Sequence, residues 1–162
     1  MNNHKENIEG IRLESIFPLI EEKLRAGGEV SFRPRGISML PLIRQGKDSA
    51  TIGPLTTTPK KNDVIFYRRP DGQFVLHRII GKNKDGFILC GDNQFIKEYG
   101  VKESWIIGIM TAVLRDGEKV SCTDSGYKRY CKWLWWHRKH LYSRNFIRRV
   151  LSKIKRTFIK SK

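Results

Sequence analysis

The chain of 162 residues is 39% apolar and 30% charged, which suffices for one compact domain with appendages and excludes a coiled coil or a disordered protein. The net charge of +16 is unevenly distributed, because residues 127–162 hold 13 Lys and Arg and no acid, while residues 1–126 carry a net charge of only +3. No apolar run approaches the roughly 18 residues of a membrane span, and the polar first ten residues are not typical of a secretory signal.

The 3 cysteines are widely spaced and form no Cys-x-x-Cys pair, which argues against a disulfide framework and a zinc site. We therefore expect a reducing, cytoplasmic location, peripheral to a membrane if the basic tail binds one. We expect no metal and no other cofactor.

The first predicted element is a short amphipathic helix over Glu9–Arg25, ended by Gly27 and Gly28 and kinked or shifted by Pro18. The pattern then changes to short β-rich runs separated by turn dipeptides. Six strands are predicted: Glu29–Arg33, Asp48–Ile52, Asp63–Tyr67, Gln73–Ile80, Gly86–Cys90 and Ile106–Leu114. The sequence thus predicts a mainly β fold, a small antiparallel barrel or sandwich, over residues 29–120. It is preceded by the helical segment 1–28 and followed by the tail 121–162.

The tail combines a predicted basic amphipathic helix with an aromatic group, Trp133-Leu134-Trp135-Trp136. The apolar face of this helix comprises Ile147, Val150, Leu151, Ile154 and Phe158. Such a segment suits an anionic membrane surface, contacted through residues 127–162. A helix docked on its own domain is an equal alternative, and nucleic-acid binding is a weaker one.

Two residues of the β region have the chemistry of a nucleophile and its base. Ser38 lies in the loop Gly36–Pro41, and His77 shares a strand face with Val75 and Ile79. A serine hydroxyl needs a base within hydrogen-bond reach, and a neutral imidazole can take its proton near pH 7. A carboxylate such as Asp92 could orient that imidazole. Taken alone, these residues have a simpler explanation as a turn serine, a structural histidine and an ordinary turn.

Six short motifs in a fixed order add to this interpretation. They are Gly36-Ile37-Ser38-Met39-Leu40-Pro41, Arg44-Gln45-Gly46-Lys47-Asp48, Lys61-Asn62-Asp63-Val64-Ile65-Phe66, His77-Arg78-Ile79-Ile80-Gly81, Gly91-Asp92-Asn93 and Ile106-Ile107-Gly108. In this order the chain, over about residues 30–115, resembles the signal peptidase and LexA-like class of serine peptidases. Because His77 stands where many members have lysine, it is most similar to the serine–histidine variety of endoplasmic-reticulum-type signal peptidases.

The resemblance implies a serine endopeptidase that cleaves a leader-like or signal-like peptide after a small residue. In it Ser38 is the nucleophile, His77 the base and Asp92 a supporting acid, with Glu98 the nearest candidate for a second acid. The residues expected to bind the substrate and to stabilise the oxyanion are Gly36, Ile37 and Met39. Gly36 cannot supply the side-chain hydroxyl that some members use there, and Gly46-Lys47-Asp48 is one residue longer than the usual Gly-Asp.

Two other functions remain open from the sequence. One is a catalytically inactive module that binds a peptide or a membrane surface. The other is a self-cleaving, repressor-like regulator, for which the segment before the β region is too short to hold a helix-turn-helix.

Overall fold

The structure, a computed structural model, describes residues 13–138. One helix and eight strands form the part of this range up to Asp124. Helix α1 is Leu13–Arg25, and the strands are β1 Val30–Phe32, β2 Ser49–Gly53, β3 Val64–Arg68, β4 Phe74–Asn83, β5 Gly86–Cys90, β6 Glu98–Val101, β7 Ile106–Arg115 and β8 Glu118–Ser121. A single 3₁₀ turn, Glu103–Trp105, leads into β7.

All strands belong to one antiparallel sheet with the order β1-β2-β7-β3-β4-β5-β6, and β8 pairs with β7. The prediction of a mainly antiparallel β fold is confirmed, but the sheet is not closed into the predicted barrel. Closure requires the first and last strands of the path to pair. Within residues 13–138, β1 pairs with β2 and β6 with β5, so the sheet stays open.

The predicted helix and strands agree with the structure to within a few residues at their ends. The predicted helix start at Glu9 lies outside the described residues. Two strands were not predicted, β6 and β8, because both are only 4 residues long and half polar, without the apolar alternation that marks a strand. Pro18 lies exposed inside α1, which continues through it.

Each face of the sheet carries a distinct set of side chains. One face holds a buried apolar cluster of Ile65, Tyr67, Ile79, Phe87, Leu89 and Val101. The other face packs aromatic rings from strands and helix: Phe17 on Phe74 at 4.9 Å, Phe32 on Phe66 at 5.1 Å and Phe66 on Phe74 at 5.7 Å between ring centroids. Bulges in β2, β3, β4 and β5 interrupt the register, and such irregularities bend and twist a sheet.

The chain divides into two compact units, up to Asp124 and from Ser125 onward. The second unit is helical from residue 125 to the end of the described range at 138. One face of this helix is buried, at Tyr127, Cys131, Leu134 and Arg138, and Trp133 and Trp136 are exposed. The predicted apolar face from Ile147 to Phe158 lies outside the described residues. Across 13–138 we find no helix with the length and apolar character needed to cross a membrane.

Candidate active site

His77 lies in the middle of β4, opposite Ile65 of β3. Strand alternation directs its side chain to the face that carries Ile79, which is the face of the apolar cluster. The imidazole is 7% exposed, its Nδ1 atom is buried, and the Tyr67 ring lies beside it at 6.5 Å between centroids. His77 therefore sits at the edge of an apolar region that limits the access of water.

Ser38 lies in the irregular segment between β1 and β2. Gly36 enters this segment with φ +92°, a left-handed conformation that glycine adopts without a steric penalty. The turn Gly91-Asp92-Asn93 holds the segment: the Asn93 N–H donates to the Ser38 carbonyl at 2.8 Å, and Asn93 Nδ2 donates to the Ile37 carbonyl at 3.2 Å. The two predicted motifs thus meet through hydrogen bonds from Asn93 to main-chain carbonyls that lie 55 and 56 positions away in the sequence.

Gly91 allows a closer approach than any other residue could. A Cβ atom on Gly91 would lie 2.6 Å from the Ser38 carbonyl oxygen and 3.0 Å from Ser38 Cβ. Real Cβ atoms essentially never approach that closely, so a side chain here would displace the Ser38 segment. The absence of a side chain at Gly91 is what lets the serine pack against the end of β5.

The register between β4 and β5 relates this contact to His77. Arg78 pairs with Cys90 at the end of β5. Continued one step beyond that end, this register puts Gly91 opposite His77. Side chains opposite each other point to the same face with Cβ atoms about 5 Å apart. Adding the 3.0 Å from that Cβ position to Ser38 Cβ places the Ser38 and His77 Cβ atoms within about 8 Å of each other. This register therefore puts Ser38 on the sheet face that carries His77, beside the end of β5.

Asp92 forms an ion pair with Arg78, the neighbour of His77. Arg78 Nε and Nη2 donate to the two carboxylate oxygens at 2.7 and 2.6 Å, and both side chains are fully buried. Arg78 Nη1 also donates to the Asn62 carbonyl at 2.6 Å. By alternation Arg78 points to the face opposite His77. The pair therefore fixes the Gly91–Asn93 turn, and with it the segment that carries Ser38.

Glu98 lies at the start of β6 on the His77 side. Tyr67 Oη donates to Glu98 Oε2 at 2.8 Å, and Arg69 Nε donates to Oε1 at 2.9 Å. Burial alone raises the pKa of Glu98, but the hydrogen bonds from Arg69 and Tyr67, together with the charges of Arg69 and His77, lower it below its ordinary value. Burial also raises the pKa of Tyr67, and its bond to Glu98 adds to that shift. The lowered pKa favours the ionised form of Glu98, whose Tyr67 partner lies beside His77.

The remaining predicted residues occupy different environments. Gly36 and Ile37 are exposed, with Ile37 59% accessible, while Met39 is 3% exposed and belongs to the core. Because the Met39 side chain is buried, only its main chain could take part in the site. Tyr67 and Arg69 are functional residues that could not be predicted, because no signal in the sequence connects Arg69 with an acid 29 positions away.

The longer Gly46-Lys47-Asp48 turn has a structural role. The fully buried Asp48 carboxylate accepts from Arg44 Nη2 at 2.7 Å and from Arg115 Nη2 at 3.2 Å, and Arg115 also donates to the Pro41 carbonyl at 2.7 Å. Burial opposes ionisation, but the Arg44 and Arg115 interactions lower the pKa of Asp48 to about 2. This network ties the end of the Ser38 segment to β7.

A cleft of about 860 Å³ lies between α1, the β3–β4 turn and the start of β7. Its lining includes Arg69, which also binds Glu98, but not Ser38 or His77. No cluster of three or more His, Cys, Asp or Glu suited to a metal ion occurs in the part of the chain described here.

Comparison of the chain with protein-family models, with curated proteins and with solved structures found no match.

Proposed function

We propose that the chain is a serine endopeptidase that cleaves a leader-like or signal-like peptide after a small residue, with a site of the signal peptidase and LexA-like type. The observation that supports this most is the packing of Ser38 against Gly91, opposite His77. This packing supports the proposal because it puts the half-buried Ser38, from the segment between β1 and β2, on the sheet face that carries the buried His77 of β4.

In this proposal His77 removes the Ser38 proton as the hydroxyl oxygen attacks the scissile carbonyl. The proton then passes from His77 to the leaving amine, and water repeats the sequence to release the acyl group. The Ser38 N–H would carry more of the oxyanion stabilisation, since Gly36 has no side-chain hydroxyl to contribute to it. A site with one oxyanion donor fewer is slower by roughly 10²–10³, so we expect a modest turnover number.

We assign the electrostatic support of the imidazolium to Glu98. Both oxygens of Asp92 accept hydrogen bonds from Arg78, and this pair holds the turn under Ser38. Glu98 is ionised, half-buried and close enough for His77 to contribute to its lowered pKa. Asp92 thus keeps a place in the site as an anchoring residue, and the small-residue preference rests on the resemblance alone.

The decisive experiment compares wild type with Ser38→Ala and His77→Ala on peptides that carry Ala-x-Ala before the scissile bond. We expect each variant to lose at least about 10³ of kcat/KM, because nucleophile and base act as a unit. Ser15→Ala, which removes an exposed hydroxyl on α1, serves as the matched control. Circular dichroism monitors the fold.

Full activity in either variant would exclude the dyad. Peptide binding by wild type without any turnover would instead support the inactive peptide-binding module. A shortened chain in the mass spectrum after long incubation, absent in Ser38→Ala, would indicate self-cleavage.

A further inference from the structure

The cleft beside α1 has a lining that suits an anionic ligand with apolar parts. Three arginines, Arg25, Arg68 and Arg69, line it, and the one acidic residue of the lining is Glu21. Aromatic side chains, Phe17 and Trp105, are also part of it. Pockets of this volume typically combine apolar walls with a few charged groups that fix the orientation of the ligand.

Two of these arginines are available to an incoming carboxylate. Arg68 is exposed, and its guanidinium lies over the rings of Phe17 and Phe74 at 5.8 and 5.4 Å from their centroids. Its hydrogen-bond acceptor is the Gly72 carbonyl, at 3.3 Å from Nε. Arg25 is exposed in the last turn of α1. Within the described range neither forms an ion pair with a carboxylate, whereas Arg44, Arg69, Arg78 and Arg115 all do.

The third arginine connects the cleft with the candidate active site. Arg69 lines the cleft, and its guanidinium donates a hydrogen bond to Glu98. The charge of His77 is one of the causes that lower the pKa of Glu98. One side chain, Arg69, therefore contacts both the cleft and Glu98, the residue to which we assign the support of His77. Arg69, just after β3, lies four residues from Ile65, the residue opposite His77, and a strand advances about 3.3 Å per residue, so a substrate that follows the strand past His77 meets Arg69 about four residues on. The Arg68 side of the cleft, beside the two phenylalanine rings, lies around the strand ends on the opposite face.

We propose that this cleft binds an acidic segment of the peptide substrate and thereby selects substrates, which deepens the proposed peptidase function and rests on it. Charge-assisted bonds from a guanidinium to a carboxylate are about twice as strong as neutral ones, and the planar guanidinium matches both carboxylate oxygens. Stacking of Arg68 on Phe17 and Phe74 limits its motion before the peptide arrives. Less side-chain entropy is then lost on binding.

The test uses pairs of fluorogenic Ala-x-Ala peptides that are identical except for Glu or Gln at about two to five positions on either side of the scissile bond. In wild type we expect kcat/KM to be about three- to tenfold higher for the Glu peptide of one pair, through a lower KM. In Arg25→Gln, and in Arg25→Gln combined with Arg68→Gln, this ratio falls toward one. Lys84→Gln removes an exposed charge from the β4–β5 turn, outside the cleft, and keeps the ratio.

Thermal unfolding accompanies each variant, because Arg68 also packs on two rings; Arg25→Gln, at an exposed helix position, is the cleaner substitution. A ratio near one for every pair in wild type overturns the proposal. So does a ratio that survives in the double variant or that Lys84→Gln lowers equally, since charge in general would then be responsible.

A binding arm separates failure of the cleft from failure of the peptidase. Fluorescence anisotropy measures the same labelled Glu and Gln peptides on Ser38→Ala, with and without Arg25→Gln. Preferential binding of the Glu peptide that depends on Arg25 supports the cleft even if wild type cleaves neither peptide. Equal binding of both peptides alongside normal cleavage overturns the cleft and leaves the peptidase in place.

Discussion

At the scale of single residues, the candidate site contains two carboxylates with different surroundings. Asp92 is fully buried and bound through both oxygens to Arg78. Glu98 is half-buried and shared between Tyr67 and Arg69 on the His77 side. Replacing the first leaves a buried guanidinium without its counter-charge, whereas replacing the second removes a negative charge from the neighbourhood of the imidazole. Substitution of Asp92 should therefore mainly reduce stability, and substitution of Glu98 should mainly reduce activity.

We expect Glu98→Gln to lower kcat about 10- to 100-fold with a smaller loss of stability than Asp92→Asn, because the amide keeps the size and one acceptor oxygen of the half-buried carboxylate but not its charge. Loss of a nearby negative charge destabilises the imidazolium. The acid limb of the kcat/KM profile should therefore move to lower pH. Asp92→Asn should instead reduce the free energy of unfolding by about 3–5 kcal/mol, as expected for a broken buried pair.

Rate profiles over a range of pH and urea denaturation curves distinguish these outcomes. An unchanged acid limb in Glu98→Gln, combined with a shifted limb in a stably folded Asp92→Asn, would transfer the supporting role to Asp92. The contribution of Glu98 to stability has a defined sign as well. Because its pKa is lowered on folding, that contribution is present above the ordinary glutamate value of about 4.3 and is lost as the pH falls below it.

The residue-level predictions had unequal support in the sequence. Ser38, His77 and Asp92 stand in short motifs whose order could be read directly. The network of Tyr67, Arg69 and Glu98 could not be predicted, because it depends on how a bent sheet brings β6 toward β3, two strands that do not pair.

At the scale of elements, the contact between the Ser38 segment and the end of β5 decides the geometry of the site. The contact needs the register of β4 and β5, the Gly91–Asn93 turn and the absence of a side chain at Gly91. Strands β4 and β5 were predicted from their apolar runs, but the register between them is irregular between Ile79 and Gly81. A bulge has no reliable sequence signal, so the packing of the Ser38 segment on Gly91 could not be predicted from the residue pattern.

Gly91→Ala tests this contact. The added methyl group would lie 2.6 Å from the Ser38 carbonyl oxygen, so the segment must shift. We expect kcat/KM to fall about 10²-fold or more, since misplacement of a reacting group by 1 Å can cost that much. Steady-state kinetics and thermal unfolding measure the two effects separately.

Gly81→Ala provides the matched control on β4. A Cβ there meets only Ile88 Cδ1 at 3.7 Å, an ordinary van der Waals distance. This variant should keep its activity. Equal kinetics for the two alanine variants would show that Ser38 does not depend on the close packing at Gly91.

At the scale of the whole molecule, the chain combines a nearly charge-balanced β unit with a strongly basic second unit. The helical part of the second unit, 125–138, exposes Trp133 and Trp136, and the Trp133 ring stacks on His137 at 4.7 Å between centroids. Its exposed basic side chains are Lys128, Arg129 and Lys132. Tryptophans beside lysines and arginines suit the headgroup region of an anionic bilayer.

We therefore expect the full chain to co-sediment with phosphatidylglycerol vesicles at low salt. Much less should co-sediment with phosphatidylcholine vesicles, or at about 0.5 M salt, because salt screens the attraction between the basic side chains and the anionic lipid. Trp136→Ala should weaken vesicle binding several-fold, because it removes the most exposed ring of the helix. Tyr99→Ala, an exposed aromatic residue of the β unit, is the control. Equal binding by wild type and Trp136→Ala, or tighter binding to duplex DNA than to vesicles, would contradict a membrane role for this helix.

The buried ion pair between Arg78 and Asp92 limits which substitutions these two positions can accept during evolution. Loss of either partner alone leaves an unpaired charge in the interior and lowers the free energy of unfolding by about 3–5 kcal/mol. That is comparable with the whole free energy of unfolding of many domains. Replacing both by apolar residues of similar volume avoids that penalty. Among descendants of this chain the two positions should accordingly be inherited together or exchanged as a couple, and a lineage that has made the exchange will have had to find another way to hold the turn beneath Ser38.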